Sequence, residues 1–183
     1  MKPKEKQMKK FSSVSMLAAA IVAAGFLMVP VNSAPPPCDD TMTGGGWILT
    51  DAGTGNFGFS GGELGGVLST PFSLNYVDEE AGVHVVATAI VDYDVADVAG
   101  QCRTLTYEVT VNGEPGFCAT VTACDHGEPG TEDTFSIAVY GPNPAACPCI
   151  EDPTTEETEC PGFYSASGVL VGGNNQLHVK HCD

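Results

Sequence analysis

The chain has 183 residues, 43% of them hydrophobic, and sets 7 basic side chains against 23 acidic ones for a formal net charge of −16. Five of the basic residues, Lys2, Lys4, Lys6, Lys9 and Lys10, stand at the very start, so the rest of the chain keeps only Arg103 and Lys180. That excludes the clustered cations that nucleic-acid phosphates require and disfavours anionic membrane surfaces, while favouring solubility, divalent cations and a salty medium.

The basic start is followed by an apolar run from Val14 to Val31, then Asn32-Ser33-Ala34 and three prolines. A charged region, an apolar region and a small-residue cleavage site in that order read as a signal peptide cut after Ser33. The apolar core is short for a membrane span of roughly 20 residues, and Pro37 before Cys38 argues against a lipoprotein. The expected organisation is a leader at 1–33, a linker at 34–42 and a single β domain at 43–183. It is secreted, surface-bound or periplasmic, with no membrane insertion once the leader is gone. All eight cysteines follow the leader, which implies an oxidised framework. The alternative, zinc held by Cys147, Cys149, Cys160, His178, His181 and Cys182, lacks any Cys-x2-Cys pair.

Thr43 to Thr50 predicts the first strand, and Asn56 to Phe59 its return. Residues 61–66 are rich enough in glycine to predict irregular structure. A strand follows near Phe72 to Val77, with Asp78 to Gly82 as its turn. From Val83 to Val95 the alternation puts Val83, Val85, Ala87, Ala89, Val91, Tyr93 and Val95 on one face, in a strand that bends near Asp92 where it leaves the sheet. A meander spans Arg103 to Gly141. Gly-Glu-Pro-Gly occurs there twice, at Gly113 to Gly116 and Gly127 to Gly130, and suits a type II turn each time. Leu105, Tyr107, Val109 and Val111, then Phe117, Ala119, Val121 and Ala123, then Phe135, Ile137 and Val139 form one apolar face. After an acidic, cysteine-bearing excursion, Phe163 to Val171 and Gln176 to His181 predict the last two strands, joined by Gly172 to Asn175. The fold class is therefore all-β, an antiparallel β-sandwich or partly closed barrel of about eight to ten disulfide-stapled strands.

Parity limits the disulfides among Cys38, Cys102, Cys118, Cys124, Cys147, Cys149, Cys160 and Cys182. Cys102, Cys118 and Cys124 share the polar face of the meander, and Cys118 and Cys124 are too far apart along one strand to bridge. Cys102 faces Cys124 across the first hairpin. Cys38 with Cys182 would staple the ends, leaving Cys118 and Cys160 to pair with Cys147 and Cys149 in either order.

Several stretches occur together in a telling order: Thr43-Gly44-Gly45-Gly46-Trp47-Ile48, Asn56-Phe57-Gly58-Phe59, Leu74-Asn75-Tyr76-Val77-Asp78, Val111-Asn112-Gly113, Asp125 to Gly130 followed by Asp133 to Ile137, and Gly172 to His178. In these the chain resembles a β domain of bacterial secreted and surface proteins, the post-COAP type, over nearly all of its length beyond the leader. The resemblance implies an extracellular all-β module, often appended to larger proteins, and supplies no catalytic or ligand residues. The cysteine richness and the insert from Cys147 to Cys160 depart from it.

Gly58-Phe59-Ser60-Gly61-Gly62 matches a nucleophile elbow, but the glycines after it cannot sustain the helix an elbow needs, and all four histidines follow Ser60. Catalytic residues are accordingly expected to be none. Calcium is the leading chemical expectation, because Ca²⁺ takes about 6 to 8 oxygen ligands. Asp92, Asp94 and Asp97 offer oxygens where a strand leaves the sheet, and Asp125, Glu128, Glu132 and Asp133 gather them around the second turn; solvated acidic edges are the alternative. The expected function is a secreted or cell-surface module with a structural or interaction role, its partner an extracellular protein or glycan. The runner-up is a calcium-assisted carbohydrate-binding module.

Overall fold

The structure is a computed structural model and describes residues 37–142 and 162–181. The alternation read from the meander is what buries its core: Leu105, Tyr107, Val109, Val111, Ala119, Val121, Ala123, Phe135, Ile137 and Val139 are all inaccessible to solvent, with Phe117 half-buried against them. In chain order the strands are β1 (Pro37–Leu49), β2 (Thr54–Leu64), β3 (Val67–Leu68), β4 (Ser73–Asp78), β5 (Val83–Val95), β6 (Cys102–Val111), β7 (Glu114–Cys124), β8 (Thr134–Tyr140), β9 (Gly162–Val169) and β10 (Gly172–His181). They make one antiparallel ten-stranded sheet in the order β10-β1-β2-β4-β5-β6-β7-β8-β9, with β3 on the flank of β2.

Sheet curvature decides between sandwich and barrel. Phe57 of β2 stacks on Phe135 of β8 with ring centroids 3.8 Å apart, although four strands separate them in the sheet. Tyr76 and Phe59 close on the same ring at 6.1 and 5.9 Å. Only a sheet curled around its apolar face permits that. The two edge strands, β9 and β10, are joined through Leu170 and Val171 alone. Leu170 N–H donates to the Asp133 carbonyl and Val171 N–H to that of Trp47, so the first and last strands share a corner. The architecture is a partly closed barrel.

Five local expectations need correction. The twin Gly-Glu-Pro-Gly turns differ from type II and from each other. At the first copy Asn112 and Gly113 both adopt positive φ, 52° and 83°, and form the two-residue hairpin turn that Asn-Gly favours; Glu114 already belongs to β7, with a bulge opposite Thr110. At the second copy, Gly130 N–H donates to the Gly127 carbonyl across a cis Glu128–Pro129 peptide. The segment 34–42 is not all linker, since β1 begins at Pro37 and Asp39 to Met42 pair with both β2 and β10. Glycine richness does not interrupt β2: a Cβ on Gly61 would stand 2.7 Å from both Ile90 Cδ1 and Leu105 Cδ2, so the glycine makes room for core side chains instead of breaking the strand. Likewise Gly172 to Asn175 are strand, paired with Trp47 to Gly44. In β5, irregularities between Ala87 and Ala89 and between Ile90 and Asp92 move the inward face from Ala89 and Val91 to Ile90 before Tyr93 resumes it, and Val95, the last residue of the strand, is exposed. Each extra residue of a bulge reverses the alternation.

Candidate functional site

The sequence-predicted acids around the second turn come together, but onto the fold's own donors. Asp133 is fully buried; one oxygen accepts from His126 N–H and the other from Asn175 N–H, each at 2.8 Å. Asp125 accepts from Gly127 N–H and, through its second oxygen, from Leu177 N–H. Glu128 Oε1 takes the side-chain amides of Asn174 and Gln176. Glu132 contributes its carbonyl to His126 Nδ1. Asn175 and Leu177 lie on an edge strand whose outer N–H groups have, among the described residues, no strand to pair with. The loop carboxylates supply the missing acceptors and cover that edge.

The other acidic set is split. Asp97 accepts from Cys102 N–H at 2.7 Å and Ala99 N–H at 3.1 Å, which shapes the turn into β6. Asp92 and Asp94 face outward beside Thr106 and Thr104. Burial, then the charge of Asp92 and a hydrogen bond with it, push the Asp94 carboxyl above its ordinary value. Among the described residues neither set places three ligand atoms within 4.8 Å of one another; that is met by Cys102, Cys124 and His126. Cys102 and Cys124 form a disulfide across directly paired positions of β6 and β7, so neither sulfur is a thiolate able to bind metal. The predicted partnership is thereby found. Cys38 and Cys118 are disulfide-bonded too; Cys147, Cys149, Cys160 and Cys182 lie outside the described residues, and with them the remaining pairings.

Two buried polar clusters were not foreseen. Asp40 receives Arg103 in a two-pronged ion pair, Nε to Oδ1 at 2.9 Å and Nη2 to Oδ2 at 2.8 Å, and Tyr93 donates to Oδ1 at 2.6 Å. Burial and the Asp40 carboxylate both push the Tyr93 hydroxyl strongly up. Around Asp78, Thr50 and Tyr164 donate to Oδ2 and Ala81 N–H to Oδ1. Tyr164 has one proton, so the 2.6 Å contact between the Tyr76 and Tyr164 hydroxyls makes Tyr76 the donor. Burial raises the Asp78 carboxyl, but the bonds from Tyr164, Ala81, Thr50 and Glu80 outweigh it and hold the group below its ordinary value. A signal for these residues does exist in the sequence: Asp40 precedes Met42, Arg103 precedes Leu105, Asp133 precedes Phe135 and Asp78 follows Tyr76, each by two. All continue the period of an inward face past its apolar part.

On the outer face, register aligns short hydroxyl side chains. Thr104, Thr122, Ser136 and Ser167 are direct partners across β6 to β9, as are Thr106, Thr120, Ala138 and Ser165. Thr104 and Thr122 hydroxyls lie 3.1 Å apart. A cavity of about 470 Å³ lies over the β7–β9 part of these rows, with Tyr140, Leu49 and Asp51 also lining it. Ser60, the centre of the elbow-like motif, sits in mid-strand and shares a hydrogen bond with Ser73 at 2.9 Å; no helix follows it.

No family model matches the chain, and no curated protein or solved structure does so either.

Proposed function

We propose that the chain is an exported β module with a structural or interaction role outside the cytoplasm and no catalytic site of its own. The observation that carries this reading is the engagement of its buried carboxylates. Asp40, Asp78 and Asp133 each accept two or more hydrogen bonds from donors of the fold itself. A carboxylate held in this way orders the strands around it; moving a proton to or from a substrate would require it to release those bonds. The leader-like start, the Cys102–Cys124 disulfide and the acid surplus support export, and the resemblance of the ordered motifs to post-COAP domains agrees with it. The calcium reading is favoured at one place only, the contact of Asp92 with Asp94, and there it calls for further ligands from outside this pair.

Expression of the whole chain with its own start in a bacterial host tests the reading. The expected product lies outside the cytoplasm, begins at Ala34 and carries no free thiol. Full-length protein retained in the cytoplasm contradicts it. Melting the same product in EDTA and in millimolar Ca²⁺ tests the metal: an upward shift that Asp92→Asn abolishes supports the Asp92–Asp94 site, and an unchanged curve removes it.

A further inference from the structure

We propose that the cavity on the outer face of β7, β8 and β9 binds a neutral polysaccharide, and does so without a cation. The proposal gives the interaction role above a ligand class and rests on that reading.

Three independent features of the cavity converge. First, serine and threonine on the paired strands give the lining five hydroxyls, Thr120, Thr122, Ser136, Ser165 and Ser167, beside those of Thr50 and Tyr140. A hydroxyl both donates and accepts, so those with an uncommitted proton can meet a sugar hydroxyl in either sense, while Ser136, which donates to the Thr122 carbonyl, offers its lone pairs. Their positions are fixed by β pairing on a grid of about 4.8 Å across strands and about 6.7 Å along them, and a chain of repeating polyol units meets one partner after another on such a grid. The Thr104–Thr122 hydroxyl pair and the bond from Ser136 Oγ to the Thr122 carbonyl hold part of the array in place before any ligand arrives.

Second, the lining is not hydroxyl alone. Tyr140 brings an aromatic body with a polar tip, the combination suited to a ligand with apolar C–H faces and polar edges, and Leu49, 63% exposed, adds apolar surface. The volume, about 470 Å³, falls within the range of small-ligand sites, roughly 300 to 1,000 Å³.

Third, charge selects among glycans. The one charged residue lining the cavity is Asp51, and the chain as a whole carries −16. Uronates, sulfated sugars and phosphates meet repulsion there, with no lysine or arginine to offset it. A single carboxylate is also far short of a calcium shell, whereas it accepts well from sugar hydroxyls. Asp92 and Asp94 sit across β6 from the cavity, so a cation at that pair would not bridge to its ligand.

Affinity electrophoresis of the oxidised chain from Ala34 onward tests the site, in native gels containing hydroxyethylcellulose, xylan or laminarin, with alginate as the anionic comparison, each run in EDTA and in Ca²⁺. Retardation is expected in at least one neutral gel, equal in EDTA and Ca²⁺, and not in alginate. The double variant Thr122→Val with Ser136→Ala keeps the shape of the sheet and should weaken binding about tenfold or more, from the loss of two hydrogen-bonding groups. Ser165→Ala, on an exposed strand position, should weaken it in the same direction even where the double variant melts early. Ser73→Ala, outside the cavity, should bind as the parent does. Mobility unchanged in all three neutral gels overturns the proposal, as does equal retardation of parent and cavity variants, retardation only in alginate, or retardation lost in EDTA. A product exported as expected yet indifferent to every gel would defeat this site and leave the export reading intact.

Discussion

Asp78 shows how a single side chain ties distant parts of this sheet together. Through its oxygens it joins the β1–β2 turn at Thr50, the β4–β5 turn at Ala81 and the edge strand β9 at Tyr164. Asp78→Asn keeps the shape but replaces one acceptor oxygen with a donor, and should cost about 2 kcal/mol, the scale of hydrogen bonds to a charged group, read as a lower urea midpoint near neutral pH. Its folded pKa is depressed, so its stabilisation is fully present above the ordinary carboxylate value of about 3.9 and is lost as pH falls through the lower folded value. The gap between parent and variant should therefore shrink in acid below about pH 4. A gap that is constant with pH would mean that the carboxylate's charge is not what holds the cluster. Arg103 differs in kind, being a buried cation with its partner. Arg103→Met leaves Asp40 buried and unpaired, and should cost about 3 to 5 kcal/mol; adding Asp40→Asn should recover part of that loss in the same denaturation experiment.

The elements turn on pairing, and two of their features can be measured apart from the core. The Cys102–Cys124 disulfide closes a loop with a sequence separation of 22, so replacing both cysteines by serine should cost about 3 kcal/mol, checked by the melting of that variant beside the parent. In β2, Gly61→Ala should destabilise by about 1 to 3 kcal/mol, because its methyl group meets Ile90 and Leu105. The same two places mark what was legible at this scale. Period-two alternation is a backbone property, so the buried faces of β6, β7 and β8 and the facing of Cys102 with Cys124 could be read directly. Gly61 and Gly172 read as breaks because a sequence shows what glycine lacks and not the side chains that fill the space. In β5 the bulges defeated the reading, since nothing in the sequence 83–95 marks where the alternation reverses. Asp125 and Asp133 were legible as a cluster of acids but not as acceptors, because the β10 amides they serve lie more than forty residues away.

At the scale of the whole molecule, curling one sheet until β9 and β10 share a corner leaves two strand edges unpaired among the described residues, and an unpaired edge invites another chain. The loop between β7 and β8 guards one of them with carboxylates in place of a strand. That explains acids at this turn without a cation and without catalysis, and it is the central claim of the account. The N–H groups of Asn175 and Leu177 report on it. Hydrogen exchange followed residue by residue in metal-free buffer should find both amides as protected as those inside β6, and Asp133→Asn and Asp125→Asn should each release the amide that its own carboxylate holds while β6 stays protected. Fast exchange of Asn175 and Leu177 in the parent, or protection that appears only when Ca²⁺ is added, would contradict it.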